Sequence, residues 1–88
     1  MRLIFADVAW EDYLHWQSTD TKTVTRINAL IRECWRDPFR GTGKPEPLRG
    51  NYAGFWSRRI SREDRLIYRM TGAGDDQALE IVQCRYHY

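Results

Sequence analysis

Three kinds of side chain in this sequence can together break a phosphodiester: a carboxylate in a rigid loop, arginines on successive apolar segments, and a histidine between two tyrosines. Glu46 lies between Pro45 and Pro47 and is flanked by Lys44 and Arg49. The prolines fix φ on either side of it, so the carboxylate is held in an extended, pre-oriented loop. A carboxylate among cations suits a general base; the alternative is a solvated glutamate in a stiff loop. His87 follows an apolar segment, between Tyr86 and Tyr88. Imidazole, with an unperturbed pKa of about 6.5, both holds and gives a proton at neutral pH. His87 is either a general acid or a solvent-facing residue beside tyrosines that close the core.

Arg58 and Arg59, in Phe55-Trp-Ser-Arg-Arg-Ile60, precede Arg65 across a short turn. Like charges on adjacent strands repel, so the cluster is explained by an anion seated there or by surface arginines capping a half-exposed sheet. Alternation sends Arg58 and Arg59 to opposite faces; which of them shares a face with Arg65 depends on a register that the sequence leaves open. RNA carries its own nucleophile, the 2′-hydroxyl. Cleaving it requires a group that removes that proton, a cation for the phosphoryl oxygens and an acid for the departing 5′-oxygen, and Glu46, Arg65 and His87 supply those types without a metal or other cofactor.

These residues need a scaffold. Arg2-Leu-Ile-Phe5 predicts a short strand. Asp7 can cap a helix running to about Ser18, with a face at Trp10, Tyr13, Leu14 and Gln17 flanked by Ala9 and Trp16. Asp20 or Thr21 can cap a second helix whose stripe is Val24, Ile27, Leu30, Ile31 and Cys34, stopped by Asp37-Pro38. Residues 39–50 hold three glycines and two prolines and predict a long loop with no regular element, the working edge. Segments 52–60, 65–71 and 79–86, rich in β-branched and aromatic residues, predict an antiparallel meander. The order is βααβββ, an α+β domain over residues 1–88.

With 88 residues, 42% hydrophobic and 30% charged, the chain has room for one core and is too apolar for a disordered segment. Its net charge of +2 conceals a middle third, residues 36–69, with nine cationic residues against four carboxylates. Twelve of the fourteen basic residues are arginine, whose planar fork suits phosphate. Cys34 and Cys84 lack the spacing of a metal site or disulfide scaffold and read as buried small residues. No window is long and apolar enough for a membrane helix and no secretion signal is evident, so a cytoplasmic location without membrane association is expected.

Lys44-Pro-Glu-Pro-Leu48, Gly54-Phe-Trp-Ser-Arg-Arg-Ile60, Arg65-Leu-Ile-Tyr68 and Cys84-Arg-Tyr-His-Tyr88, with Asp12-Tyr-Leu and Trp16-Gln, resemble the signature blocks of the YoeB/Txe toxins in the RelE/ParE superfamily. The resemblance implies a RelE-like microbial RNase fold, a twisted antiparallel sheet with two N-terminal helices packed on one face. It implies a ribosome-dependent mRNA endonuclease cutting in the A site, a YefM-like antitoxin that binds the toxin and represses their operon, and a homodimer. By position, Glu46 resembles the general base, His87 the general acid, Arg65 the transition-state cation and Tyr88 a substrate-orienting residue. Arg59 then contacts phosphate and Lys44 and Arg49 contact RNA, with Arg58 in the same basic group. Three departures stand out: arginine in place of the frequent lysine at 49, Asp64 where histidine is expected, and a long turn at 72–77. Rival readings are a ParE-like gyrase inhibitor and a non-catalytic blocker of the ribosomal A site; neither needs an acid and a base.

Overall fold

The computed structural model describes residues 1–87. In chain order the elements are β1 (Arg2–Phe5), α1 (Asp7–Thr19), α2 (Thr21–Arg36), β2 (Glu46–Pro47), β3 (Trp56–Arg59), β4 (Arg65–Thr71) and β5 (Ala78–Gln83). Single 3₁₀ turns at Gly50–Tyr52 and Gly74–Asp76 lie in the connections before β3 and β5.

The five strands form one sheet in the order β1-β5-β4-β3-β2. The β3, β4 and β5 meander is antiparallel as expected, and β2 adds to β3 antiparallel, whereas β1 joins β5 in parallel. The sheet is therefore mixed and not wholly antiparallel. The two helices between β1 and the meander form the crossover that a parallel pair requires. Residues 39–50, expected to be irregular, contribute the two-residue β2, because Glu46 and Pro47 stand opposite Ser57 and Trp56. Proline is tolerated there because β2 is an edge strand.

The helix starts follow different rules. Asp20 caps α2, its carboxylate accepting from the backbone N–H of Lys22 and Thr23 at 3.1 and 3.2 Å. The same carboxylate accepts from the Thr23 hydroxyl at 2.9 Å, and these bonds hold Asp20 below the usual carboxylate range. Asp7 is not a cap: Ala6 holds that position without a side-chain bond, and Asp7 is the first helical residue, where its charge still favours the helix dipole.

The core is built from Ile27, Leu30, Ile31 and Cys34 of α2, Leu66 and Tyr68 of β4, and Leu79 and Ile81 of β5. The predicted α2 stripe supplies its part of that core. On α1 the inward face is rotated from the expected one: Ala9 and Asp12 are buried and Tyr13 and Trp16 pack against the core, while Trp10 and Leu14 are exposed. A buried aspartate hides the period, because the face that enters the protein carries a polar residue at its centre. Among the described residues no helix is long and apolar enough to cross a membrane.

Candidate active site

Ladder register settles which arginines share a face. Arg59 stands directly opposite Arg65, and Ser57 opposite Ile67 on one side and Glu46 on the other. Alternation then puts Ser57, Arg59 and Arg65 on one face, while Leu66 and Tyr68 turn into the core under the helices. A cleft of about 140 Å³ opens there, lined by Lys44, Glu46, Ser57, Arg59, Arg65 and His87. Three cations, a carboxylate, an imidazole and a hydroxyl thus converge on one small volume.

Ser57 belongs to the site although nothing in the sequence around it points to chemistry. It is 4% exposed and lines the cleft beside Glu46's strand. One signal was available: it lies two residues before Arg59 and so on the same face.

Arg58, grouped with the phosphate contacts from sequence, does something else. It is fully buried on the opposite side of β3. Its Nη2 donates to the carbonyls of Asp37 and Arg40 at 2.6 and 2.8 Å, its Nη1 to that of Thr42 at 3.2 Å, and its Nε to the Tyr68 hydroxyl at 3.1 Å. Tyr68 donates in turn to the Pro38 carbonyl at 2.6 Å. Glu33 completes the cluster, with Oε1 at 3.9 Å from Arg58 Nη1 and accepting from the Thr42 N–H at 3.1 Å. The Thr42 hydrogen bonds, aided by Arg58, hold Glu33 below the usual carboxylate range, and burial pushes the Tyr68 hydroxyl up. A guanidinium satisfied by loop carbonyls has no exposed edge to offer a phosphate. Arg58 fastens residues 37–42 to the sheet and so fixes the base of the loop carrying Lys44 and Glu46.

Gly43 completes that attachment. Its carbonyl accepts from the Arg59 N–H at 2.7 Å. Its φ is +86°, and a Cβ there would lie 3.1 Å from both Arg58 Cβ and the Arg59 carbonyl. Only glycine allows so close an approach. The next residue, Lys44, is itself left-handed at φ 51° and enters the cleft. Arg49 is exposed at the start of a 3₁₀ turn and does not line the cleft.

The chain after β5 is tied down by side chains from distant elements. Asp12 accepts from the Cys84 N–H at 3.1 Å, and Trp16 Nε1 donates to the Cys84 carbonyl at 2.8 Å. Burial raises the Asp12 carboxyl above its usual range against the lowering effect of that bond from Cys84. Gln83 donates to the Arg85 carbonyl at 2.7 Å. The cation opposite the tail is equally fixed, since Arg65 Nη1 donates to the carbonyls of Ser61, Arg62 and Asp64 at 2.8, 3.2 and 3.1 Å. Tyr88, expected to orient substrate, lies outside the described residues.

Both cysteines are buried, and burial pushes the Cys34 thiol up to about 11 and the Cys84 thiol up to about 12. They stay neutral and unreactive at neutral pH. Among the described residues no three metal-ligating side chains gather. A larger groove of about 520 Å³, lined by Leu3, Phe5, Tyr13, Ile31, Trp35 and Arg36 among others, is apolar and holds no acid, base and cation together.

A family profile for a YoeB-like toxin of bacterial type II toxin-antitoxin systems matches residues 5–88. The chain belongs to the YoeB toxin family. Toxin YoeB of Escherichia coli (strain K12) is 53% identical over 88 residues, covering 100% of both chains. A solved YoeB/ParE toxin from Agrobacterium tumefaciens is 53% identical, covers 100% of both chains and superposes with a TM-score of 0.96. In Staphylococcus aureus, a YoeB dimer and a heterotetrameric YoeB-YefM toxin-antitoxin complex contain chains 40% identical to this one, with TM-scores of 0.87 and 0.86, each covering 100% of this chain and 98% of theirs. As a YoeB-family member the chain is a type II toxin with the α+β fold of its relatives.

Proposed function

We propose that this toxin is a ribosome-dependent endoribonuclease that cleaves mRNA in the A site, using Glu46 as base, His87 as acid and Arg65 as the principal cation. One observation carries the reading: residues that sequence separates by up to 41 positions, Glu46, Arg65 and His87, line a single cleft with Lys44 and Arg59.

Glu46 takes the proton of the 2′-hydroxyl as that oxygen attacks phosphorus. Negative charge grows on the non-bridging oxygens, where Arg65, with its Nη1 locked to turn carbonyls, needs no reorganisation to meet it. The P–O5′ bond breaks and the His87 imidazolium gives its proton to the leaving oxygen. The products are a 2′,3′-cyclic phosphate and a 5′-hydroxyl. Every proton and charge is handled by the chain's own groups, so the reading is of a metal-independent enzyme. Arg59 and Lys44 neutralise flanking phosphates, Arg49 contacts RNA outside the cleft, and Tyr88 orients the substrate. Inhibition by binding alone, of gyrase or of the A site, gives no reason to assemble a base and an acid.

The chain's partners on this reading are the ribosome, mRNA, a YefM-like antitoxin and a second copy of itself, the last two supported by the Staphylococcus aureus assemblies. The setting is the cytoplasm, where translating ribosomes are found.

The test adds purified toxin to ribosomes paused on a defined mRNA and maps 3′ ends by primer extension beside His87→Gln, with magnesium replaced by a polyamine in one arm. Cleavage at the A-site codon that needs ribosome and His87 but survives the replacement is expected. Stalled ribosomes on intact mRNA contradict the nuclease reading in favour of a blocker, and unaffected ribosomes shift attention to gyrase.

A further inference from the structure

Asp64, which stands where the resemblance leads to histidine, is absorbed by none of the roles above. Its Oδ1 accepts from the Tyr86 backbone N–H at 2.7 Å, and its Oδ2 accepts from the Ser61 hydroxyl at 3.1 Å. The Ser61 oxygen in turn accepts from the Asp64 N–H at 3.1 Å, so the turn and the carboxylate lock each other. The neighbouring Arg65 N–H donates to the Tyr86 carbonyl at 3.0 Å. Both backbone polar groups of Tyr86 are therefore held by one dipeptide, Asp64-Arg65.

Tyr86 needs holding. Its φ is +66°, a left-handed conformation that a bulky residue seldom adopts and that persists only where its surroundings impose it. It immediately precedes His87. A change in the Tyr86 backbone angles redirects the chain at His87, whose carbonyl also accepts from Gln83 Nε2 at 3.4 Å. The Tyr86 side chain is 60% exposed, so packing does not impose the turn; hydrogen bonds do.

We propose that Asp64 is a positioning residue: by fixing the backbone of Tyr86 it sets the distance between His87 and Arg65, so that the acid and the cation share one anchor. The proposal rests on the nuclease reading. It specifies how that site is held together and gives the aspartate at 64 a role acting through another residue.

The experiment measures single-turnover cleavage on paused ribosomes for the full-length protein, Asp64→Ala, Asp64→Asn and His87→Gln, with toxin varied to separate the saturated rate from the half-saturating concentration. Asp64→Ala should lower the saturated rate on the order of tenfold to a hundredfold, as expected for a displaced catalytic group, with half-saturation unchanged. Asp64→Asn, whose amide oxygen can still accept from Tyr86, should stay within about threefold of the parent. Amide exchange on the unsubstituted protein, which does not depend on any variant folding, should show the Tyr86 N–H protected like those of β4. Full-rate cleavage by Asp64→Ala, an Asn variant as slow as Ala, a changed half-saturation with an unchanged rate, or a Tyr86 amide exchanging like a free tail each overturns the proposal. Full-rate cleavage by His87→Gln overturns instead the nuclease reading on which it rests.

Discussion

At the scale of single residues, the proposed reaction gives Glu46 and His87 equal weight and a shared consequence. Glu46→Gln and His87→Gln should each slow the saturated rate by about 10²- to 10⁴-fold while leaving ribosome binding near the parent value, read by single-turnover cleavage beside a pelleting assay. Ser57 predicts a smaller effect. Ser57→Ala should cost about tenfold in rate, the scale of one hydrogen bond removed beside a developing charge. An unchanged rate would remove Ser57 from the site. Sequence singled out Glu46 and His87 because their neighbours are unusual, prolines on both sides of one and tyrosines on both sides of the other, and the fold puts both on one cleft. It could not separate Arg58 from Arg59. The two are adjacent and chemically identical, and only the ladder register puts Arg59 opposite Arg65 and buries Arg58 under loop carbonyls. Ser57 escaped for the opposite reason, since a serine announces nothing until the strand around it is known.

At the scale of elements, the 37–44 loop owes its shape to Arg58, Tyr68, Glu33 and Gly43. Arg58→Met should destabilise the fold by about 3 kcal/mol, because the carbonyls of Asp37, Arg40 and Thr42 lose their donor and Tyr68 loses one of its two hydrogen bonds; urea unfolding reads this directly. Cleavage should fall with it, although Arg58 does not line the cleft. Carboxylates of α2 and of the residue that caps it set an acid limit. Glu33 and Asp20 lie below their ordinary 4.5 and 3.8, so the stability they contribute is present above those values and is lost as pH falls through the lower folded ones. Asp12, raised by burial, works in the reverse sense, its contribution declining as pH rises through its folded value. The urea midpoint should therefore fall as pH drops below 4.5 and then 3.8, and more shallowly in Glu33→Gln. Equal slopes in the two proteins would contradict the Glu33 assignment. The α2 stripe was legible because its apolar residues recur at helical spacing, and the meander because its segments are rich in β-branched and aromatic residues. The α1 face was not, since Asp12 enters the protein to hold the Cys84 backbone and interrupts the pattern. Nor was the parallel pairing of β1, a tertiary choice that a four-residue strand with three apolar residues does not encode.

At the scale of the whole molecule, the fold brings a loop, a hairpin and a chain end to the same face of one sheet, with the helices covering the other. The arrangement explains how 88 residues can hold both a core and a site: one sheet face is given to each. Both thiols lie on the core side, so the native protein should resist a thiol reagent at neutral pH and react within seconds in denaturant; rapid labelling of the native form would contradict their burial. The most direct test of the central claim concerns the substrate. A single 2′-deoxy nucleotide is placed at the scissile position of the A-site codon on paused ribosomes, and product ends are analysed on the all-ribose control. With the nucleophile supplied by the RNA, the deoxy message stays intact while the control yields a 2′,3′-cyclic phosphate and a 5′-hydroxyl. Cleavage of the deoxy message, or a 5′-phosphate on the control, would contradict the assignment of Glu46 and His87 as base and acid.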